Sequence, residues 1–123
     1  MGLFRTPIEV GSPDGQLFEA VYALVDTGAS YTTLPAPLLR RLGVEAHDRR
    51  RFRLADTAVV EMDMGRAWSL INVRMEMSVV AFGPEDGIPL LGATTLQLLG
   101  LGVDSVHEQL IEVDAYLVGI QVI

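Results

Sequence analysis

Short apolar stretches rich in Val, Ile, Leu and Met alternate along this chain with clusters of Gly, Pro, Asp and Ser. Punctuation at such short intervals predicts an all-β barrel or sandwich with little helix. Thr6 to Val10 reads as a first strand, ended by the turn Gly11-Ser12-Pro13-Asp14-Gly15. Phe18 to Val25 reads as a second strand that runs directly into Asp26-Thr27-Gly28-Ala29-Ser30. Pro35 to Leu42 predicts one short helix, because Pro37 suits a first turn and Gly43 a C-cap. Arg50 to Leu54 and Val59 to Met64 flank Ala55-Asp56-Thr57-Ala58 as a hairpin, after which Gly65 reads as a bulge or bend. Ala67 to Phe82 predicts two further strands with a break near Asn72, followed by the loop Gly83-Pro84-Glu85-Asp86-Gly87. Ile88 to Leu91 reads as a short apolar strand, and Ala93 to Leu99 as a helix ended by Gly100 and Gly102. Leu110 to Val113 and Tyr116 to Ile123 complete the expected strands. No repeat, linker or low-complexity segment divides the chain, so residues 1–123 read as a single domain.

Composition narrows the function classes. The 123 residues are enough for one domain that buries about two-thirds of its unfolded surface. Apolar residues make up 50% and charged residues 20%, which excludes the disordered class and predicts self-association to cover surplus apolar surface. A net charge of −7 repels a phosphate backbone, so no nucleic-acid partner is expected. The basic runs Arg40-Arg41 and Arg49-Arg50-Arg51 lack aromatic residues to stack bases and read as a solvated face or a dimer rim. With no cysteine, disulfides and thiolate metal sites are absent. The start Met1-Gly2-Leu3-Phe4-Arg5-Thr6-Pro7 lacks the pattern of a signal peptide, and no apolar run approaches the ~18 residues of a membrane span. The expectation is a cytoplasmic protein with no membrane partner.

The chemistry concentrates in Val21-Tyr22-Ala23-Leu24-Val25-Asp26-Thr27-Gly28-Ala29-Ser30. An acidic residue closing an apolar strand is costly to bury without compensation. Gly28 permits a tight turn and close backbone approach, while Thr27 and Ser30 offer hydroxyls for local or interfacial hydrogen bonds. The plain alternative is an Asx-turn after a strand. Two features stand beside it in order: the hairpin around Ala55-Asp56-Thr57-Ala58, and Leu90-Leu91-Gly92 leading into Ala93-Thr94-Thr95-Leu96-Gln97-Leu98-Leu99-Gly100.

With those three features in that order, the chain resembles the retropepsin-like aspartic proteases, in particular their small prokaryotic members, over about residues 5 to 105. The resemblance implies a small closed barrel of that type, with a short helix after Leu90-Leu91-Gly92 and a second at 35–42. It implies that Asp26 is the catalytic aspartate, and that Thr27 bonds across a dimer to the partner's loop. Gly28 would present its carbonyl to a substrate amide, with Ala29 and Ser30 lining the same cleft. The hairpin of about Arg50 to Asp63 would be a flap, and Ala55, Asp56, Thr57 and Ala58 its substrate-facing tip. The chain departs from the family pattern at that tip, which lacks the usual glycines, and at Ala93, where Arg or Asn is usual.

Aspartic-protease chemistry requires two carboxylates that share one proton, one acting as base and one as acid. Only one Asp-Thr-Gly is present, so the expected enzyme is a homodimeric aspartic endopeptidase with an Asp26 from each chain on the two-fold axis, hydrolysing peptide or protein substrates. The altered tip leaves open a catalytically silent dimeric module that binds a peptide in the same cleft. No cofactor or metal is expected: His47 and His107 are scattered, and His47-Asp48 and His107-Glu108 read as surface pairs. Ser30 has no nearby histidine to activate it. Met62, Met64, Met75 and Met77 alternate at strand spacing and read as packing residues, and Trp68 as core.

Overall fold

The computed structural model describes residues 3–117. The first two strands, β1 (Arg5–Gly11) and β2 (Phe18–Val25), form an antiparallel hairpin whose inward positions are apolar: Ile8 and Val10 on one strand, Ala23 and Val25 on the other. That period-two alternation is what one buried sheet face demands. The turn between them is held by Ser12, whose hydroxyl donates to Asp14 Oδ1 (2.6 Å) and accepts from the Leu17 N–H (3.0 Å). After β2 the chain turns through Asp26 to Ser30 into β3 (Thr32–Pro35) and α1 (Ala36–Arg41). Next come the hairpin strands β4 (Asp48–Arg53) and β5 (Val59–Ile71), then β6 (Arg74–Gly83), β7 (Leu90–Leu91) and α2 (Ala93–Leu99). A small terminal hairpin follows, β8 (Leu101–Asp104) and β9 (Gln109–Glu112), forming its own two-stranded sheet.

The main sheet runs β1-β2-β7-β3-β6-β5-β4, and β1 also pairs with β5 through Glu9↔Leu70 to Gly11↔Trp68. Six strands thus close into a ring, and β4 hangs from β5 outside it. The ring encloses a core of Ile8, Val10, Val25, Leu34, Val80 and Leu91, capped by Leu38 and Leu39 of α1 and by Leu96 and Leu99 of α2.

The all-β class, the helix after Leu90-Leu91-Gly92 and the helix within 35–42 all appear as expected. Several details differ. Gly65 marks no bulge: β5 pairs without interruption past it, Met64↔Ala81 then Gly65↔Val80. A Cβ there would lie 2.6 Å from Val44 and 3.0 Å from Phe82, so the glycine serves close packing against the segment after α1. The strand expected from Ile88 shortens to Leu90–Leu91, and β3 and β8 were not foreseen. Trp68 is half-buried outside the core, its indole N–H donating to the Pro13 carbonyl at 3.3 Å. Met64 is core, whereas Met75 is exposed. His107 pairs with Asp104 at 2.7 Å, not with Glu108. Of the last expected strand, Tyr116 and Leu117 lie in no strand and the rest falls outside the described residues.

Candidate active site

The two-residue strand β7 builds the site. It lies between β2 and β3, parallel to β2 through Leu24↔Leu90 and Val25↔Leu91, and antiparallel to β3 at Thr33↔Leu90. The segment from Asp26 to Tyr31 therefore has to arch over the end of β7. Its backbone is fixed at both feet: the Asp26 N–H donates to the Leu91 carbonyl (3.0 Å), and the carbonyls of Ala29 and Ser30 accept from the N–H groups of Ala93 (2.8 Å) and Thr94 (3.0 Å). Those two donors belong to the first turn of α2, where helical N–H groups lack partners within the helix. Helix and arch satisfy each other.

Gly92 makes this fit possible. A Cβ at that position would sit 2.4 Å from the Tyr31 carbonyl carbon and 2.8 Å from the Thr32 nitrogen, both backbone atoms with no freedom to retreat. Behind it the buried Thr32 hydroxyl accepts from the Gly92 N–H (3.1 Å) and shares a 2.6 Å hydrogen bond with Thr95 Oγ1, which in turn lies 3.3 Å from Ser78 Oγ. This buried hydroxyl chain joins β3, β6 and α2 behind the arch.

On the arch, Asp26 is half-buried and Thr27 and Gly28 are exposed. Asp26 Oδ1 accepts the Gly28 N–H at 3.0 Å, the local Asx geometry, which leaves its other oxygen outside that bond. A carboxylate carried on a rigid arch and open on one side is suited to proton transfer. Ala29 is half-buried and Ser30 exposed, so the five residues from Asp26 to Ser30 share one turn. Beside it lies a pocket of about 400 Å³ lined by Thr27, Ala93, Gly102, Val113 and Tyr116 among others. Among the described residues, no cluster of three or more His, Asp or Glu is arranged to hold a metal ion, and no helix is long and apolar enough to cross a membrane.

The other four predicted site residues, Ala55, Asp56, Thr57 and Ala58, form the fully exposed tip of the β4–β5 hairpin. The tip is closed by Leu54 N–H to Ala58 carbonyl (2.8 Å) and Thr57 N–H to Leu54 carbonyl (2.9 Å), with Asp56 Oδ1 accepting the Ala58 N–H (3.0 Å). Thr57 stands at φ 71°, a left-handed conformation that is strained for a β-branched residue.

Sequence reasoning missed three residues that join the two groups. Tyr31, at the end of the arch, meets Phe52 of β4 edge-on at a ring separation of 5.9 Å, and its hydroxyl accepts a hydrogen bond from Arg50 Nη1. Their signal was only the i, i+2 spacing that puts Arg50 and Phe52 on one face of β4. Asp48 completes the cluster, its Oδ2 3.0 Å from Arg50 Nε. The Arg49 N–H first, and then the Arg50 side chain, hold Asp48 below the usual carboxylate value, and Asp48 raises Arg50 in return.

Residues 10–103 match the sequence model of the family described as aspartyl protease, and the chain belongs to that family. No curated protein matches it in sequence. Among solved structures it is similar to the protease of simian foamy virus (mac), at 18% identity and a TM-score of 0.52, covering 76% of this chain and 94% of that one. It is similar to a retropepsin-like aspartic protease from Rickettsia conorii, at 20% identity and a TM-score of 0.53, covering 83% of this chain and 87% of that one. The EIAV protease, solved with the inhibitor HBY-793, gives 21% identity and a TM-score of 0.51, covering 79% and 88%. At these identities the likeness is one of fold: this is a retropepsin-like aspartic protease fold.

Proposed function

We propose that the protein is an aspartic endopeptidase active as a homodimer, in which Asp26 from each chain forms the catalytic pair. The observation that carries this reading is the arch itself: a half-buried carboxylate pinned by Leu91 and α2, flanked by exposed Thr27 and Gly28. A single carboxylate cannot take a proton from water and deliver one to the scissile amide at once. Two of them roughly 3 Å apart share one proton and do both, the ionised member activating water and the protonated member polarising the carbonyl. Exposed Thr27 suits a hydrogen bond to the partner's arch, and the Gly28 carbonyl suits a substrate N–H. The β4–β5 hairpin then serves as a flap, its tip residues Ala55 to Ala58 closing over an extended peptide and excluding water.

Asp26→Asn tests this directly. It removes the shared proton but keeps the side-chain shape, so cleavage of a diverse peptide library falls by about a thousandfold or more while the dimer remains folded. Undiminished cleavage by the variant rejects the mechanism.

The flap tip favours a second reading, a silent dimer that binds peptides without cutting them. Its basis is Thr57 at φ 71° and Asp56 tied into the turn, where the family usually carries glycine. A dimer that binds library peptides but cleaves none between pH 3 and pH 8 would establish it.

A further inference from the structure

We propose that Tyr31 is the flap-positioning residue of this protein, gripping the hairpin through Arg50 and Phe52 and so setting its place over the arch that carries Asp26. The inference rests on the protease reading above, but its geometric basis is separate. Along β4, residues 48, 49, 51 and 53 are exposed while Arg50 and Phe52 are half-buried, so the strand presents one inward face. The outer face is spent within the hairpin: Arg49 pairs with Glu61 (3.0 Å) and Asp63 (2.8 Å), and Arg53 donates to the Thr57 carbonyl (3.2 Å). Among the described residues, the side-chain hydrogen bonds and ring contacts that tie β4 to anything outside the hairpin all go to Tyr31.

Tyr31 is a firm anchor. Its backbone lies against Gly92, with no room even for a methyl group between them, and it follows directly on Ser30, whose carbonyl is held by α2. Its hydroxyl takes the guanidinium N–H of Arg50, which Asp48 holds in place from the other side, while the ring meets Phe52 edge to face. The hydrogen bond and the aromatic pair act on adjacent inward positions of one strand, so together they resist both lifting and sliding of the flap. Tyr31 touches no reacting atom in this scheme. It acts through the hairpin.

The test measures hydrogen exchange of the hairpin amides and steady-state kinetics on the full-length protein. Exchange is followed in the Asp26→Asn background without substrate, so that it reports on the flap whether or not the protein cleaves anything. Tyr31→Ala and Arg50→Gln are each expected to speed exchange across residues 48–60 by about tenfold, the equivalent of one hydrogen bond or aromatic contact, with exchange elsewhere unchanged. With Asp26 intact, the same changes raise KM by about tenfold and alter kcat by less than about threefold, since the acid–base pair is untouched. Arg50→Lys restores part of the loss. Hairpin exchange within twofold of the parent in both variants overturns the proposal, as does acceleration spread over the whole chain. If the protein cleaves nothing, or if Asp26→Asn still cleaves, the protease reading fails while the exchange measurement still decides whether Tyr31 holds the hairpin.

Discussion

At the scale of single residues, the site depends on Gly92 having no side chain. An alanine there places its methyl group within 2.8 Å of three backbone atoms of Tyr31 and Thr32, and backbone in a three-strand junction has no rotamer to change. Gly92→Ala is expected to destabilise the protein by about 1–3 kcal/mol, read as a lower urea midpoint with unchanged slope. Thr57 gives the opposite sign. Its left-handed backbone costs a β-branched residue roughly 1–2 kcal/mol, partly offset in Thr57→Gly by the extra freedom of the unfolded glycine. The expected net result is a gain of about 0.5–1 kcal/mol, measured by urea denaturation at fixed protein concentration. The turn at Asp26-Thr27-Gly28 was legible in the sequence as a candidate site because a carboxylate at the end of an apolar strand needs explanation. Tyr31 was not, because an aromatic residue after a turn has many uses and only the fold brings Arg50 and Phe52 to it.

At the scale of elements, the hydroxyl chain Thr32–Thr95–Ser78 ties β3, α2 and β6 behind the arch. Thr95→Val keeps the shape but leaves its buried partners Thr32 and Ser78 each short of a hydrogen bond, an expected loss of about 1–3 kcal/mol by thermal or chemical denaturation. The β8–β9 turn carries its own acid sensitivity. Asp104 is held below its ordinary value of 3.8 by His107, through the imidazole first and then the backbone N–H, with further help from Gln109 and the Val106 N–H. A carboxylate depressed in the folded state contributes in full above pH 3.8 and loses that contribution as pH falls through its folded value. Protection of the Val106 and His107 amides, taken relative to their intrinsic exchange rates at each pH, is therefore expected to fall below pH 3.8 and to lose this pH dependence in Asp104→Asn.

The elements themselves were read from the sequence with uneven success, for physical reasons. The long strands and the helices announced themselves through alternation and through Pro and Gly at their ends. Strand β3 was hidden because it is four residues long and runs from the arch into a proline-started helix with no turn residue to mark it. Strand β8 was masked by Gly100 and Gly102, which read as breakers. Gly65 was taken for a bend because glycine weakens a strand, whereas packing against Val44 and Phe82 explains it.

At the scale of the whole molecule, one chain presents one arch and, under the proposed function, half of the chemistry. The exposed Thr27 and Gly28, the adjacent pocket and exposed Ile111 and Val113 are surfaces that a second copy would cover under the proposed function. Specific activity per chain is then expected to fall on dilution through the dissociation constant of the dimer, with sedimentation showing monomer over the same range. An activity independent of concentration across a demonstrated monomer–dimer transition would leave the pair without a role.

Mixing wild-type and Asp26→Asn chains at fixed total concentration tests the shared pair most directly. After the subunits exchange, only dimers with both carboxylates retain the acid and the base, so activity follows the square of the wild-type fraction, and an equal mixture keeps roughly one-quarter of it. A linear fall, with about one-half remaining in the equal mixture, would mean that a single Asp26 suffices and would contradict the paired mechanism.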